Sequence, residues 1–147
     1  MAELQACGTA VAEREHIELP LALEKIEAGF PAPNGGYVDG NLDVNEFLIS
    51  HPGSTFIYCV NGTSMIEAGI MPGDYVLVDT TVPVQDGDIV VASIDNEFTI
   101  KELHLKPHPH FAARNKDYAP IEVNEYSDVK IVGTVTGVVR RYSRGRW

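Results

Sequence analysis

The sequence is poor in cysteine, in basic residues and in long apolar runs. Cys7 and Cys59 are the only two cysteines among 147 residues, too few for a disulfide framework, so a reducing cytosol is the expected compartment. The longest apolar runs, such as residues 89–92, are far shorter than the roughly 20 residues of a membrane-spanning helix. No basic segment followed by an apolar stretch marks a secretory signal at the N-terminus. We therefore expect a cytoplasmic protein with no membrane association.

The charge balance is strongly acidic. Eleven lysines and arginines face 21 aspartates and glutamates, for a net charge of −10, which argues against direct binding to duplex DNA because the phosphate backbone rewards basic surfaces. One basic segment, residues 140–147, carries four arginines. This pattern favours a solvated tail over a phosphate-binding or acidic-partner site. The sequence has no phosphate-binding glycine motif, and we expect no cofactor.

The chain length suits one domain with one core, and the composition divides it into three segments. Residues 1–28 form a glutamate-rich arm with few large apolar residues, which we expect to dock on the body or stay mobile. Residues 29–40 are dense in glycine and proline and predict a hinge. Residues 41–147 predict the folded body.

Within the body, the hydrophobic period indicates mainly strands. An Asx residue before apolar positions 44, 47 and 48 predicts a short capped helix that ends near residues 51–53. Asp95 and Asn96 predict a hairpin turn. Strands are predicted at 55–60, 75–79, 89–94, 97–103, 121–123 and 129–142. The expected fold is mostly β, a curled antiparallel sheet with one or two short helices and an extended N-terminal arm.

Two residues predict hydrolytic chemistry. Ser64 follows an apolar strand-like run, and a serine hydroxyl becomes a nucleophile when a base takes its proton. Lys101 lies on a predicted strand whose alternation places Thr99, Lys101 and Leu103 on one face. A lysine serves as a base only in its uncharged form, which burial favours. Thr99 or a neighbouring hydroxyl is a candidate to orient the amine.

The residues around Ser64 predict an oxyanion site. Gly62 permits a tight bend, and residues 64–69 predict one helical turn closed by Gly69. Backbone N–H groups at a helix start can hold an oxyanion, and we assign this role to the amides of Thr63 and Ser64. Simpler interpretations exist, because a serine before a short helix is commonly an N-cap and a strand lysine is commonly a solvated edge residue.

Other chemistry-bearing residues give weaker signals. His104, His108 and His110 are close in sequence, but the intervening Pro107 and Pro109 and the lack of a nearby cysteine favour a loop over a metal site. Cys59 is interpreted as a small core residue and not as a nucleophile. We predict no metal site.

Several blocks of this sequence resemble the LexA/UmuD self-cleaving serine peptidases of the S24 type. Residues 62–65 (GTSM) and 69–79 (GIMPGDYVLVD) resemble the family's block around the nucleophile. Residues 86–90 (DGDIV) and 98–103 (FTIKEL) resemble its second block, which carries the general-base lysine. Residues 28–31 (AGFP) match the cleavage region, and residues 42–52 and 112–120 also resemble UmuD. The resemblance covers roughly residues 20–142. The arm is too short for the helix-turn-helix that precedes this domain in LexA-type repressors, which favours the UmuD branch.

The resemblance implies a reaction and a pathway. Ser64 is then the nucleophile, Lys101 the general base, and the bond between Ala28 and Gly29 the cleavage site, which makes the 1–28 arm removable. UmuD-like proteins are homodimers of the bacterial DNA-damage (SOS) response, and a RecA filament on single-stranded DNA stimulates their self-cleavage. The truncated subunit joins a UmuC-like Y-family DNA polymerase in translesion synthesis and SOS mutagenesis.

Two alternatives stay open at this point. The chain could be a non-enzymatic dimeric regulatory or binding module that keeps the fold and uses its arm only to control partners. A relative of bacterial signal peptidases shares the Ser/Lys chemistry, but the sequence lacks the membrane anchor that such an enzyme needs.

Overall fold

The computed structural model describes residues 16–23, 25–26, 28–29, 36 and 40–142, together with the backbone of residues 4–9 and 38–39. The chain forms two compact units. One comprises Met1–Ala12 and His51–Trp147, and the other comprises Glu13–Ser50. The predicted boundaries of arm, hinge and body stay predictions, and most of the hinge lies outside the described residues.

The larger unit is built on one eight-stranded sheet. Its strands are β1 (Leu4–Thr9), β4 (Thr55–Val60), β5 (Tyr75–Asp79), β6 (Ile89–Ile94), β7 (Glu97–His104), β8 (His110–Ala112), β9 (Ile121–Glu122) and β10 (Val129–Val139). They follow the order β1-β4-β5-β10-β6-β7-β8-β9 across the sheet, and every neighbouring pair is antiparallel. The predicted mostly β, antiparallel fold is confirmed.

The long strand β10 joins the two halves of this sheet. It pairs with β5 on one side and β6 on the other, and its register shifts once against each partner. Such bulges bend a strand and increase its twist. Gly133 lies at one shift, where a Cβ atom would meet the backbone oxygen of Asp79 at 2.8 Å. Only glycine therefore allows this close approach.

Two apolar clusters flank the strands. One contains Val60, Met65, Ile70, Val76, Val78, Val91 and Ile100, and the other contains Val90, Ala92, Leu103 and Phe111. Val90 and Val91 belong to different clusters because consecutive strand residues face opposite sides of a sheet. Burying one such side chain stabilises the fold by about 1.5–3 kcal/mol, so these clusters hold the strands that position the site.

The smaller unit is a hairpin followed by a short helix. Strands β2 (Glu18–Ala22) and β3 (Val38–Asp43) are antiparallel, and helix α1 (Val44–Leu48) follows directly. Asp43 caps the helix by accepting hydrogen bonds from the amides of Asn45 and Glu46, which is the Asx cap that the sequence predicts. In the part of the chain that the structure describes, no helix is long and apolar enough to cross a membrane.

The remaining predicted elements agree with the structure within a few residues. Asp95 and Asn96 have positive φ values of 50° and 67°, as the tight hairpin turn requires. Strand β10 ends at Val139, three residues before the predicted end. The sequence did not predict β1, β2, β3 or β8.

Candidate active site

Ser64 lies in the loop that follows β4 and is 1% exposed. The loop continues into a single 3-10 turn at Ile66–Ala68, which ends at Gly69 with a φ of 82°. Met65, next to the serine, is buried in the first apolar cluster. The packing of Met65 therefore fixes the loop against the core next to Ser64.

The 3-10 turn is shorter than the helical turn predicted for residues 64–69. Met65 has φ −120° and ψ 19°, outside the helical range, and its side chain packs in the core. The amides of Thr63 and Ser64 consequently precede the turn instead of starting it. Their role as oxyanion donors stays a prediction.

Lys101 lies near the middle of β7, with β6 on one side and β8 on the other. It is directly opposite Val90 of β6, and only 5% of the residue is exposed. Thr99, Lys101 and Leu103, which the sequence predicts on one face, are all buried; of the two residues between them, Ile100 is buried as well and Glu102 is half-buried. Lys101 is thus not the solvated edge residue that strand lysines commonly are.

The sheet brings the serine and the lysine together across 37 residues of sequence. Lys101 Nζ is 3.0 Å from Ser64 Oγ, 2.6 Å from Thr99 Oγ1 and 3.2 Å from the carbonyl oxygen of Ile100. An uncharged amine has two hydrogens and one lone pair. It can therefore donate to Thr99 and Ile100 while it accepts the hydroxyl hydrogen of Ser64, which is the arrangement a general base needs.

The segment that follows β8 is hydrogen-bonded to the loop that carries Ser64. Asn115 is buried and donates its side-chain amide to the carbonyl oxygen of Thr63 at 2.8 Å. The Thr63 hydroxyl is 2.9 Å from the Tyr118 hydroxyl, and the Glu67 amide donates to the carbonyl of Arg114 at 2.8 Å. Sequence reasoning missed Asn115 and Tyr118, although both lie in the 112–120 block that carries part of the resemblance.

An ion pair between buried Asp74 and partly exposed Arg140 holds the other end of this loop. Arg140 donates Nε to Asp74 Oδ1 at 2.6 Å, Nη2 to Asp74 Oδ2 at 2.7 Å, and Nη2 to the carbonyl of Gly69 at 3.0 Å. Asp74 is 2% exposed and also accepts the Met71 amide. The Arg140 guanidinium holds the pKa of the Asp74 carboxyl below its usual range.

Arg140 therefore differs from the solvated tail that the sequence favours. Its side chain is about one-third exposed and joins the end of β10 to the turn between Gly69 and Asp74. Bidentate contacts of this kind fix orientation as well as charge. Arg141 and Tyr142 are exposed, and the remaining two arginines of the segment lie outside the described residues.

The predicted cleavage residues belong to the smaller unit. Ala28 and Gly29 are both exposed, and among the described residues beyond its chain neighbours no atom lies within 4 Å of the position that a Cβ on Gly29 would occupy. Phe30 and Pro31 lie outside the described residues. The assignment of this bond as the cleavage site stays a prediction.

Two further expectations differ from the structure. His104 ends β7 and His110 begins β8, so two of the three clustered histidines are strand residues and not loop residues. Cys59 lies on β4, is half-buried, and takes part in a disulfide bond. A disulfide-bonded cysteine has no free thiol, so the expectation that Cys59 is not a nucleophile is not contradicted, but the residue is only half-buried and not a core side chain.

The comparisons with known proteins give one family. Residues 20–136 match the model of the family described as Peptidase S24-like, a span that includes Ala28, Ser64 and Lys101. Protein MucA of Salmonella typhimurium is 40% identical over 126 residues, which cover 85% of this chain and 86% of MucA. Protein ImpA of Salmonella typhimurium is 39% identical over 122 residues, 83% of each chain.

A repressor is among the relatives as well. The LexA repressor of an Anaeromyxobacter species is 36% identical over 128 residues, which are 85% of this chain and 55% of the repressor. The predicted resemblance to the LexA/UmuD peptidases is confirmed, and with it the prediction of an SOS-response self-cleaving peptidase. The chain belongs to the S24-like peptidase family.

Proposed function

We propose that Ser64 and Lys101 are the catalytic dyad and that they cleave the peptide bond between Ala28 and Gly29. The observation that carries the proposal is the 3.0 Å separation of Ser64 Oγ and Lys101 Nζ at a site where both residues are almost fully buried. A buried amine within hydrogen-bond reach of a buried hydroxyl meets the geometric requirement for a nucleophile and its base.

The reaction has two chemical stages. The uncharged Lys101 amine accepts the Ser64 proton while Oγ attacks the carbonyl carbon of Ala28, which gives a tetrahedral intermediate. The amides of Thr63 and Ser64 stabilise its oxyanion. Lys101 then donates its proton to the departing Gly29 nitrogen, and water hydrolyses the Ala28 ester on Ser64 with Lys101 again as the base.

Thr99 is a positioning residue in this scheme. Its hydroxyl is 2.6 Å from Lys101 Nζ, and it is 7% exposed. A hydrogen bond from the amine to Thr99 Oγ1 directs the nitrogen lone pair towards Ser64. The Asn115 contact to the Thr63 carbonyl supports the other partner by fixing the backbone immediately before the nucleophile.

The family membership supports the wider role of this cleavage. We infer that the chain acts as a cytoplasmic homodimer, that a RecA filament on single-stranded DNA stimulates cleavage, and that the fragment beginning at Gly29 joins a UmuC-like Y-family polymerase. Removal of the 1–28 arm then converts a restrained subunit into an active accessory factor for lesion bypass.

The test combines fragment mapping with matched variants. The full chain is incubated at raised pH, and separately with activated RecA on single-stranded DNA, and the products are identified by N-terminal sequencing. We expect one new N-terminus at Gly29, and Ser64→Ala should lower the cleavage rate by at least about 10³-fold.

The structure offers a matched control pair. Ser93 of β6 and Lys130 of β10 are opposite one another in the sheet, but Ser93 is half-buried and Lys130 is exposed. The Ser93→Ala and Lys130→Ala variants should undergo self-cleavage at the wild-type rate. Persistent cleavage in Ser64→Ala would remove the assigned nucleophile, and intact wild-type chain under both conditions would favour the non-enzymatic regulatory module.

A further inference from the structure

A second cluster of chemistry-bearing side chains lies at the β8–β9 end of the sheet. His110 of β8 is directly opposite Glu122 of β9, and His108 precedes His110 by two residues. One potential ligand atom from each of these three residues lies within 4.8 Å of the other two. We propose that His108, His110 and Glu122 bind a divalent transition-metal ion, with Zn²⁺ as the best match.

The hydrogen bond of His110 prepares its ring for coordination. His110 Nδ1 is 2.8 Å from the carbonyl oxygen of His108. A carbonyl oxygen only accepts, so Nδ1 carries the hydrogen and Nε2 of the neutral ring keeps a lone pair. Metal-binding histidines commonly donate their other ring N–H to a backbone carbonyl, which fixes the tautomer and the ring orientation.

The ring of His110 is also held by a neighbour. His104, its partner across β7 and β8, stacks on it with ring centroids 5.1 Å apart and an interplanar angle of 13°. His104 Nε2 is in turn 2.7 Å from Glu102 Oε1. Two independent contacts therefore orient the His110 imidazole before any ion arrives.

His108 and Glu122 supply the remaining ligands. His108 Nε2 is 2.6 Å from Glu122 Oε2, and both side chains are more than half exposed, so they can separate to admit an ion. Zn²⁺ bonds to nitrogen and oxygen are about 2.0–2.2 Å long, which places adjacent tetrahedral ligand atoms about 3.3 Å apart. The carboxylate offsets part of the ion's charge, and water can take the fourth position.

The ligand set selects the class of metal. Two imidazoles and one carboxylate suit Zn²⁺ and neighbouring transition metals, whereas Mg²⁺ and Ca²⁺ prefer oxygen ligands alone. An ion bound here would also join β8 to β9, the strands on either side of residues 113–120. That segment contains Asn115, which donates a hydrogen bond to the Thr63 carbonyl. Because the ion would bind the folded chain and not the unfolded one, metal binding should raise the stability of the fold.

The smaller unit supplies a control cluster. His16, Asp43 and Glu46 also have potential ligand atoms close together. However, Asp43 Oδ1 already accepts two amides at the start of α1, and the His16 side chain is 73% exposed with no ring contact among the described residues. We therefore expect the β8–β9 cluster, and not this one, to bind Zn²⁺.

The test uses the untagged full chain, freed of metal by chelation, and titrates it with Zn²⁺ by calorimetry. We expect one ion per chain, a rise in the thermal unfolding temperature, and visible absorption bands of tetrahedral Co²⁺ when Co²⁺ replaces Zn²⁺. Glu122→Gln keeps the size of the side chain and removes the charged ligand, and His110→Gln removes an imidazole. Each should weaken Zn²⁺ binding at least about tenfold.

His16→Ala should bind Zn²⁺ as the wild type does. Unchanged affinity in both Glu122→Gln and His110→Gln would overturn the proposal, as would an equal loss in His16→Ala. Circular dichroism of the metal-free variants separates lost binding from lost folding. If one variant is unfolded, the other decides.

Discussion

The two compact units of this chain differ in how far their apolar residues are buried. In the larger unit, Val76, Val78 and Val90 are fully buried, and the strands that carry them hold Ser64 and Lys101 in place. In the smaller unit, Leu19 and Ile26 are 52% and 96% exposed, and every described residue of β2 faces solvent.

This contrast matches the needs of a self-cleaving protein. A catalytic site requires groups that are fixed by their surroundings, and the two apolar clusters supply that rigidity. A substrate segment must instead offer an accessible backbone, and exposed segments with little packing are the preferred sites of cleavage. Ala28 and Gly29 are exposed in the smaller unit, so the division of burial agrees with the proposed division of roles.

The largest expected difference between the units is the loss of folding stability when a leucine is replaced by alanine. Leu103→Ala removes a side chain that is 8% exposed and packs with Val90 and Phe111. It should lower the free energy of unfolding by about 3 kcal/mol. Leu19→Ala should change it by less than about 0.5 kcal/mol. Chemical denaturation measures both values, and equal losses would contradict the contrast.

A smaller, pH-dependent effect is expected from the ion pair of the larger unit. The pKa of Asp74 is lowered in the folded chain by Arg140, so the pair stabilises the fold above the unfolded pKa of an aspartate, about 3.9. That stabilisation is lost as the pH falls through the folded value. Thermal unfolding between pH 6 and 3 measures it.

Asp74→Asn is the comparison variant because its side chain does not titrate. It should unfold several degrees below the wild type at pH 6, and the difference should shrink towards pH 3. Glu125→Gln, at an exposed position, is the control and should follow the wild type throughout. A difference between Asp74→Asn and wild type that is constant with pH would contradict the assignment.

The sequence predicted the central strands because their hydrophobic period is clear. Strands β4, β5, β6 and β7 have β-branched and aromatic residues between turn signals. Strand β3 (VDGNLD) has glycine, asparagine and aspartate, which disfavour strands. Its partner β2 (ELPLA) contains a proline, which disfavours a strand interior, and none of its residues is buried. Strand β8 has three residues, too few for any period to show. These strands are defined by their pairing with neighbouring strands, which a local sequence pattern does not reveal.

The site was predictable in part for similar reasons. Alternation on β7 placed Thr99 and Lys101 on one face, but nothing local relates Lys101 to Ser64, and the resemblance supplied that pairing. The bond between Arg140 and Asp74 spans 66 residues, and a basic cluster at one end of a chain gives no sign of its partner. Such contacts arise from the way the strands are arranged in the sheet, and the spacing of residues along a single sequence does not predict them.

The most direct test of the account is the rate of self-cleavage as a function of pH in the wild type and in Lys101→Met, which preserves the length of the buried side chain. The base in the proposed mechanism is the Lys101 amine, and methionine has no group that can accept the Ser64 proton. Lys101→Met should be slower by at least about 10³-fold at every pH. A Lys101→Met chain that cleaves at the wild-type rate, with the same pH dependence, would contradict the central claim that Lys101 activates Ser64.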